Sequence, residues 1–93
     1  MPFDGSVVIV TGAAGAIGSA AVAPLQSSGA TVLAVDRDVE ALATLDGVAT
    51  HVADVTSAQD VAGYVAAAAA LGPIGGFFNN AAIEGPVTPP GRP

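Results

Sequence analysis

A chain of 93 residues is one domain at most, and 52% hydrophobic content with only four aromatic side chains gives it a core of small residues. Eight acids stand against Arg37 and Arg92, with no lysine, for a formal charge of −6. That surface excludes binding that rests on neutralising the phosphates of nucleic acid or anionic membrane. The absence of cysteine excludes disulfides and thiolate metal sites, and His51 as the single histidine cannot build a metal cluster.

No basic flank precedes the first apolar run, and no run approaches the roughly 20 residues that span a bilayer. The expectation is a soluble, cytoplasmic protein. Ser6 to Val10 reads as a buried parallel strand, being β-branched and continuously apolar. Thr11-Gly12-Ala13-Ala14-Gly15-Ala16-Ile17-Gly18 follows it and leads into a helix expected over Ala16 to Ser28, ended by Gly29. Strand, glycine-rich turn and helix form the order a phosphate-binding turn requires. Glycines permit the tight turn and the close approach, and the helix N-terminus supplies unpaired N–H groups with a positive dipole end. The alternative for these glycines is tight packing alone. Pro24 inside the helix forfeits a backbone hydrogen bond and predicts a bend.

Thr31 to Val35 reads as a second apolar strand ending at Asp36. Asp38 caps a short helix expected to run through Leu45, with Gly47 breaking it. Val48 to Ala53 reads as a third strand, and its Thr50 and His51 suit an edge of the sheet. Asp54-Val55-Thr56-Ser57 then opens a helix from Ala58 to Leu71, with Ser57 and Asp60 spaced as a capping box. Gly72-Pro73 stops that helix, and Ile74 to Asn79 reads as a short fourth strand leading into Asn79-Asn80-Ala81-Ala82. Residues 1–85 are read as a partial dinucleotide-binding domain, and the proline-rich 86–93 as a loop or tail. Alternating strands and helices imply an α/β, Rossmann-like, doubly wound parallel sheet of about four strands, order 3-2-1-4, with helices on both faces.

Asp36 sharpens the phosphate reading. It stands at the end of the second strand, about 20 residues beyond the glycines, where an acid accepts both adenosine ribose hydroxyls and repels the 2′-phosphate of NADP. The bland alternative is a solvated turn residue or a helix cap shared with Asp38. Arg37 beside it is the competing signal, since an arginine there can accommodate a phosphate.

Val10-Thr11-Gly12 through Gly18, Val35-Asp36, Asp54-Val55 and Asn79-Asn80-Ala81-Ala82 together resemble the amino-terminal half of a short-chain dehydrogenase/reductase. The resemblance runs from about Phe3 to Val87. It implies that Thr11, Gly12, Ala14, Gly15, Ala16, Ile17 and Gly18 form the pyrophosphate turn, with Ile17 packing beneath it. It implies that Asp36, with Arg37 beside it, meets the adenosine ribose. Asp54 would accept from the adenine amino group while the Val55 N–H faces a ring nitrogen; the alternative for Asp54 is a cap of the next helix. Asn79 and Asn80 would stabilise the sheet centre and place the Ala81 backbone near the cofactor ribose; the alternative is a strand-ending turn.

Two departures mark the glycine turn and the asparagine motif. The common single-domain pattern, TGxxxGxG, wants glycine at Ala16, whereas the TGxxGxxG arrangement present here is closer to the extended branch of the family. Asn79-Asn80-Ala81 points back to the single-domain branch, and Ala82 stands where the pattern closes in glycine. The family's catalytic Tyr-x-x-x-Lys pair and its serine find no counterpart, because the chain has no lysine and Tyr64 is followed four places on by Ala68. Tyr64 is expected to pack, and His51 to serve at the surface or in packing. The resulting expectation is the NAD(H)-binding portion of an oxidoreductase acting on alcohol or ketone groups, without its catalytic half. The second reading is a non-catalytic nucleotide-binding or interaction module that self-associates through the uncovered edge of the fourth strand.

Overall fold

The computed structural model describes residues 4–45 and 47–79. Within them the elements are β1 (Val7–Thr11), α1 (Ala16–Ser27), β2 (Thr31–Asp36), α2 (Val39–Leu42), β3 (Ala49–Val52), α3 (Ala58–Leu71) and β4 (Ile74–Asn79). The strands pair in parallel in the order β3-β2-β1-β4, the order expected of a Rossmann-like sheet.

Two-residue periodicity sorts the strand side chains between the sheet faces. Val7 and Ile9 of β1 join Leu33 and Val35 of β2 on one face, beneath Tyr64 and Ala68 of α3. Val8 and Val10 join Val32 and Ala34 on the other, with Val22 of α1 and Leu42 of α2. Every residue of β1 is buried, which explains its unbroken apolar run. Each fully buried valine contributes roughly 1.5–3 kcal/mol, so this strand anchors both layers.

Several boundaries differ from the sequence expectations. The first strand is shifted by one residue and takes in Thr11, because its neighbours extend to meet it: Thr11 pairs with Val35 and with Asn79. The second helix stops at Leu42 rather than Leu45, where the Thr44 hydroxyl donates to the Ala41 carbonyl at 2.7 Å and the chain turns. β3 is shorter than expected at both ends but lies at the sheet edge, as its polar residues predict. α1 continues through Pro24, whose carbonyl accepts from both the Ser28 N–H and the Ser28 hydroxyl at 3.0 Å.

β4 carries a bulge at Gly75: Val7 pairs with Ile74, and Val8 with Gly76. A Cβ at Gly75 would lie 2.5 Å from the Ser6 Cβ, so only glycine fits this bulge. Beyond it Phe77 turns toward the α3 face, its ring 6.0 Å from that of Tyr64. Burial raises the Tyr64 phenol pKa above its ordinary value, the opposite of what an acid–base tyrosine needs. Tyr64 is a packing residue. His51 is half-buried on β3 with its Nε2 turned toward Gly63 of α3, again a packing position. No helix among the described residues is long and apolar enough to cross a membrane.

Candidate functional site

The C-terminal ends of β1, β2 and β4 and the loop after β3 bring the chemistry-bearing residues to one end of the sheet. Gly12 leaves β1 with φ +64°, a conformation that favours glycine, and starts a turn closed by the Gly15 N–H on the Gly12 carbonyl at 3.1 Å. β2 holds this turn from the side. The Ala13 N–H donates to the Val35 carbonyl at 3.1 Å, and the Ala14 N–H donates to Asp36 Oδ2 at 3.0 Å.

Those bonds settle which backbone donors remain. The N–H groups of Ala13, Ala14 and Gly15 are all spent inside the protein. Among the described residues the donors left for an anion are those of Ala16, Ile17 and Gly18, in the first turn of α1, where no intrahelical acceptor exists. Gly15 is the N-cap and offers no side-chain bond, and no acid lies in that first turn to compete for the site. The helix end is therefore chemically suited to an anion.

The three glycines differ in what they do. A Cβ on Gly18 would fall on the Gly12 carbonyl oxygen and within 2.9 Å of the Ala13 Cα, so Gly18 lets α1 close onto the turn. A Cβ on Gly15 would meet only the Gly12 oxygen, at 3.4 Å, and Gly15 has an ordinary φ of −77°. The protein's own packing demands glycine at 18 and hardly at 15.

Asp36 bridges two turns. Besides holding Ala14 through Oδ2, it accepts the Asp38 N–H through Oδ1 at 3.0 Å. Asp38 in turn caps α2, accepting the Ala41 N–H at 3.0 Å. The proposed sharing of a cap between Asp36 and Asp38 is thus a relay, with Asp36 as its first member. Arg37 is exposed, and its charge is felt at Asp54.

Asp54 follows β3 and forms a tight turn with Thr56. Its Oδ1 accepts the Thr56 hydroxyl at 2.6 Å and the Thr56 N–H at 2.9 Å. The hydroxyl bond, then the amide bond, hold its pKa below the ordinary aspartate value, against a smaller opposition from desolvation and with the least contribution from Arg37. Helix α3 is capped by Ser57, whose Oγ accepts the Asp60 N–H at 3.2 Å, so Asp54 is not the cap. The capping box is only half formed: the Asp60 carboxylate does not return to Ser57 but accepts the Asp54 N–H at 2.7 Å. Among the described residues the Val55 N–H donates to no acceptor, while the Val55 side chain packs against the core beneath α3.

A depressed carboxylate pKa contributes stability that is present above the unfolded value and lost as pH falls through the folded one. Thr56→Val removes the largest cause and is expected to move the Asp54 pKa up toward the ordinary range. Carboxyl-carbon NMR titration checks this; an unmoved midpoint would refute the hydroxyl bond as its cause.

Asn79 sits beside Thr11 across β1 and β4. The buried Thr11 hydroxyl donates to Asn79 Oδ1 at 2.9 Å, tying the two strand ends together below the turn. The expectations for Asn80, Ala81 and Ala82, for the Ile17 side chain, and for the tail over 86–93 lie outside the described residues.

The short chain dehydrogenase family profile matches residues 6–90. The chain belongs to the short-chain dehydrogenase family. No curated protein sequence matches it. Solved structures do: levodione reductase is 38% identical with a TM-score of 0.79 over 94% of this chain and 38% of its own. NAD+-bound xylitol dehydrogenase is 37% identical with a TM-score of 0.79 over 89% of this chain and 35% of its own. A metagenomic short-chain oxidoreductase in complex with NADP is 33% identical with a TM-score of 0.74, over 89% of this chain and 42% of its own. The chain thus spans between 35% and 42% of the length of these three proteins.

Sequence reading missed the roles of Ala13 and Thr56 and gave the Asp60 carboxylate the wrong partner. Thr56 had a local signal, an aspartate two places before a hydroxyl residue. Ala13 had none of that kind, because its role depends on how separate elements meet, and the capping-box spacing directed the Asp60 carboxylate to Ser57 rather than to Asp54.

Proposed function

We propose that this chain is the NAD(H)-binding portion of an oxidoreductase that moves hydride between a nicotinamide and an alcohol or ketone. The observation that carries the reading is the bond from the Ala14 N–H to Asp36 Oδ2, which holds a carboxylate beside the donor-rich end of α1. A pyrophosphate takes the first-turn N–H groups of Ala16, Ile17 and Gly18, approaching over Gly12, Ala14 and Gly15. Asp36 accepts the adenosine ribose hydroxyls with lone pairs that its two backbone bonds leave unused. Asp54 accepts from the adenine amino group, and the Val55 N–H donates to a ring nitrogen. Thr11 and Asn79 support the sheet end; Asn80 and Ala81 are assigned to the nicotinamide side on the family resemblance.

NAD is favoured over NADP because a 2′-phosphate would meet the Asp36 carboxylate. Relatives of both kinds are known, one bound to NAD+ and one to NADP, so the choice rests on this residue and its neighbour Arg37. The 93 residues contain no lysine, so a Tyr-x-x-x-Lys pair has no place within them, and no turnover by this chain alone is expected. Calorimetric titration tests the reading. NAD(H) binding is expected, and a folded sample with no heat of binding at millimolar ligand would refute it.

Exposed aromatic residues favour a second reading, a self-associating module. Phe77 and Phe78 are 48% and 38% exposed, and among the described residues β4 pairs with β1 alone. An apolar strand with a free edge recruits another strand. Sedimentation equilibrium decides: a monomer across the micromolar range would exclude it.

A further inference from the structure

We infer that Asp60 is a positioning residue for adenine recognition. Its carboxylate fixes the Ala53–Asp54 peptide, and with it the start of the turn whose Asp54 carboxylate and Val55 N–H, an acceptor and a donor, face one purine edge. This deepens the NAD reading above and rests on it.

In a reciprocal capping box the acid three residues into the helix returns to the N-cap N–H. Here the Ser57 N–H is already used, donating to the Asp54 carbonyl at 3.0 Å. The Asp60 carboxylate therefore reaches further back and takes the Asp54 N–H at 2.7 Å, a length typical of charge-assisted bonds. Ser57 caps the helix by itself, so the start of α3 does not require that carboxylate.

The effect on Val55 follows from peptide geometry. Asp54 is held at its N–H by Asp60, at its carbonyl by Ser57 and at its side chain by Thr56. In a trans peptide the carbonyl of one residue and the N–H of the next point in opposite directions. With the Asp54 carbonyl turned inward to Ser57, the Val55 N–H is turned outward. Its side chain, packed against the core, keeps the residue from rotating. The unpaired donor beside the Asp54 carboxylate matches adenine, which offers an amino group next to a ring acceptor. Hypoxanthine inverts both positions, with a carbonyl where adenine has its amino group and an N–H where adenine has its ring acceptor.

ADP and IDP titrations on the full chain use that inversion. Wild type is expected to prefer ADP by about tenfold, the equivalent of one lost charge-assisted hydrogen bond. Asp60→Ala is expected to bring the ratio close to one. Asp60→Asn, which keeps an acceptor for the Asp54 N–H, is expected to preserve most of it. Full preference in a folded Asp60→Ala variant would overturn the assignment of Asp60. Wild type that binds ADP and IDP equally would overturn the adenine contacts themselves, and wild type that binds neither would overturn the NAD reading. Amide exchange on unliganded wild type needs no variant: the Asp54 N–H is expected to be protected and the Val55 N–H to exchange freely. Equal exchange at the two would also overturn the inference.

Discussion

Gly18→Ala is expected to destabilise the protein by about 3 kcal/mol or more, lowering Tm by roughly 12–24 °C for a domain of this size. The three nearest neighbours of the added methyl are all backbone: the Gly12 carbonyl oxygen, the Gly12 carbonyl carbon at 2.8 Å and the Ala13 Cα at 2.9 Å. None of these can swing aside as a side-chain end would. Gly12 is closed into its turn by the Gly15 N–H, and Ala13 is fully buried and bonded to Val35. α1 must then lift away, opening the layer that Val22 shares with Val8 and Val10. Gly15→Ala makes the matched control. Its φ is ordinary and its one close contact is 3.4 Å, so stability is expected to change by no more than about 1 kcal/mol, the gain from a less flexible unfolded chain opposing the poorer N-cap that alanine makes. NAD binding is expected to fall in that variant, because the methyl stands where the pyrophosphate approaches. Chemical denaturation of both variants separates the two roles. Equal stability losses would refute the division between a packing glycine and an access glycine.

Much of the fold was legible because each layer has its own repeat. The valine runs of β1 and β2, the alanine-rich α3 and the Gly72-Pro73 stop made the element types readable, and the strand order came from the Rossmann-like reading of the whole pattern. Element ends were less legible, since they are set by partners. Thr11 is a strand residue only because Val35 and Asn79 flank it. The same limit applies to the site. Asp36 was readable from its place at a strand end, but its bond to Ala14 joins residues 22 apart and depends on how the turn lies against β2. No local pattern shows that three N–H groups are used to hold the turn itself. The Ser57–Asp60 spacing correctly located a helix start, yet a local rule assigned the Asp60 carboxylate to the wrong N–H. The Ser57 N–H had been taken by the Asp54 carbonyl.

Asp36→Ala is expected to weaken NAD binding by about 10–100-fold, the range for removing a hydrogen-bonded charge, and to abolish discrimination against NADP. Three effects combine, and they differ between the two cofactors. Loss of the bond to Ala14 loosens the glycine turn and weakens both cofactors alike. Loss of the ribose acceptor weakens NAD more than NADP, which has no free 2′-hydroxyl to donate. Removal of the negative charge relieves the repulsion of a 2′-phosphate and strengthens NADP alone. The ratio of the two affinities therefore cancels the turn and reports only the ribose end. Stability should also fall, by about 1–2 kcal/mol, as the Ala14 and Asp38 N–H groups lose a charged acceptor at a partly exposed position. Asp36→Asn sharpens the test, because its single amide oxygen replaces two carboxylate oxygens that now serve different turns. That variant removes the charge while keeping one of the two backbone bonds, so its stability should lie between wild type and alanine. Its cofactor ratio should follow alanine. Parallel titrations with NAD and NADP provide the measurement: an affinity ratio unchanged in both variants would show that Asp36 serves only the turn, leaving the ribose to another group.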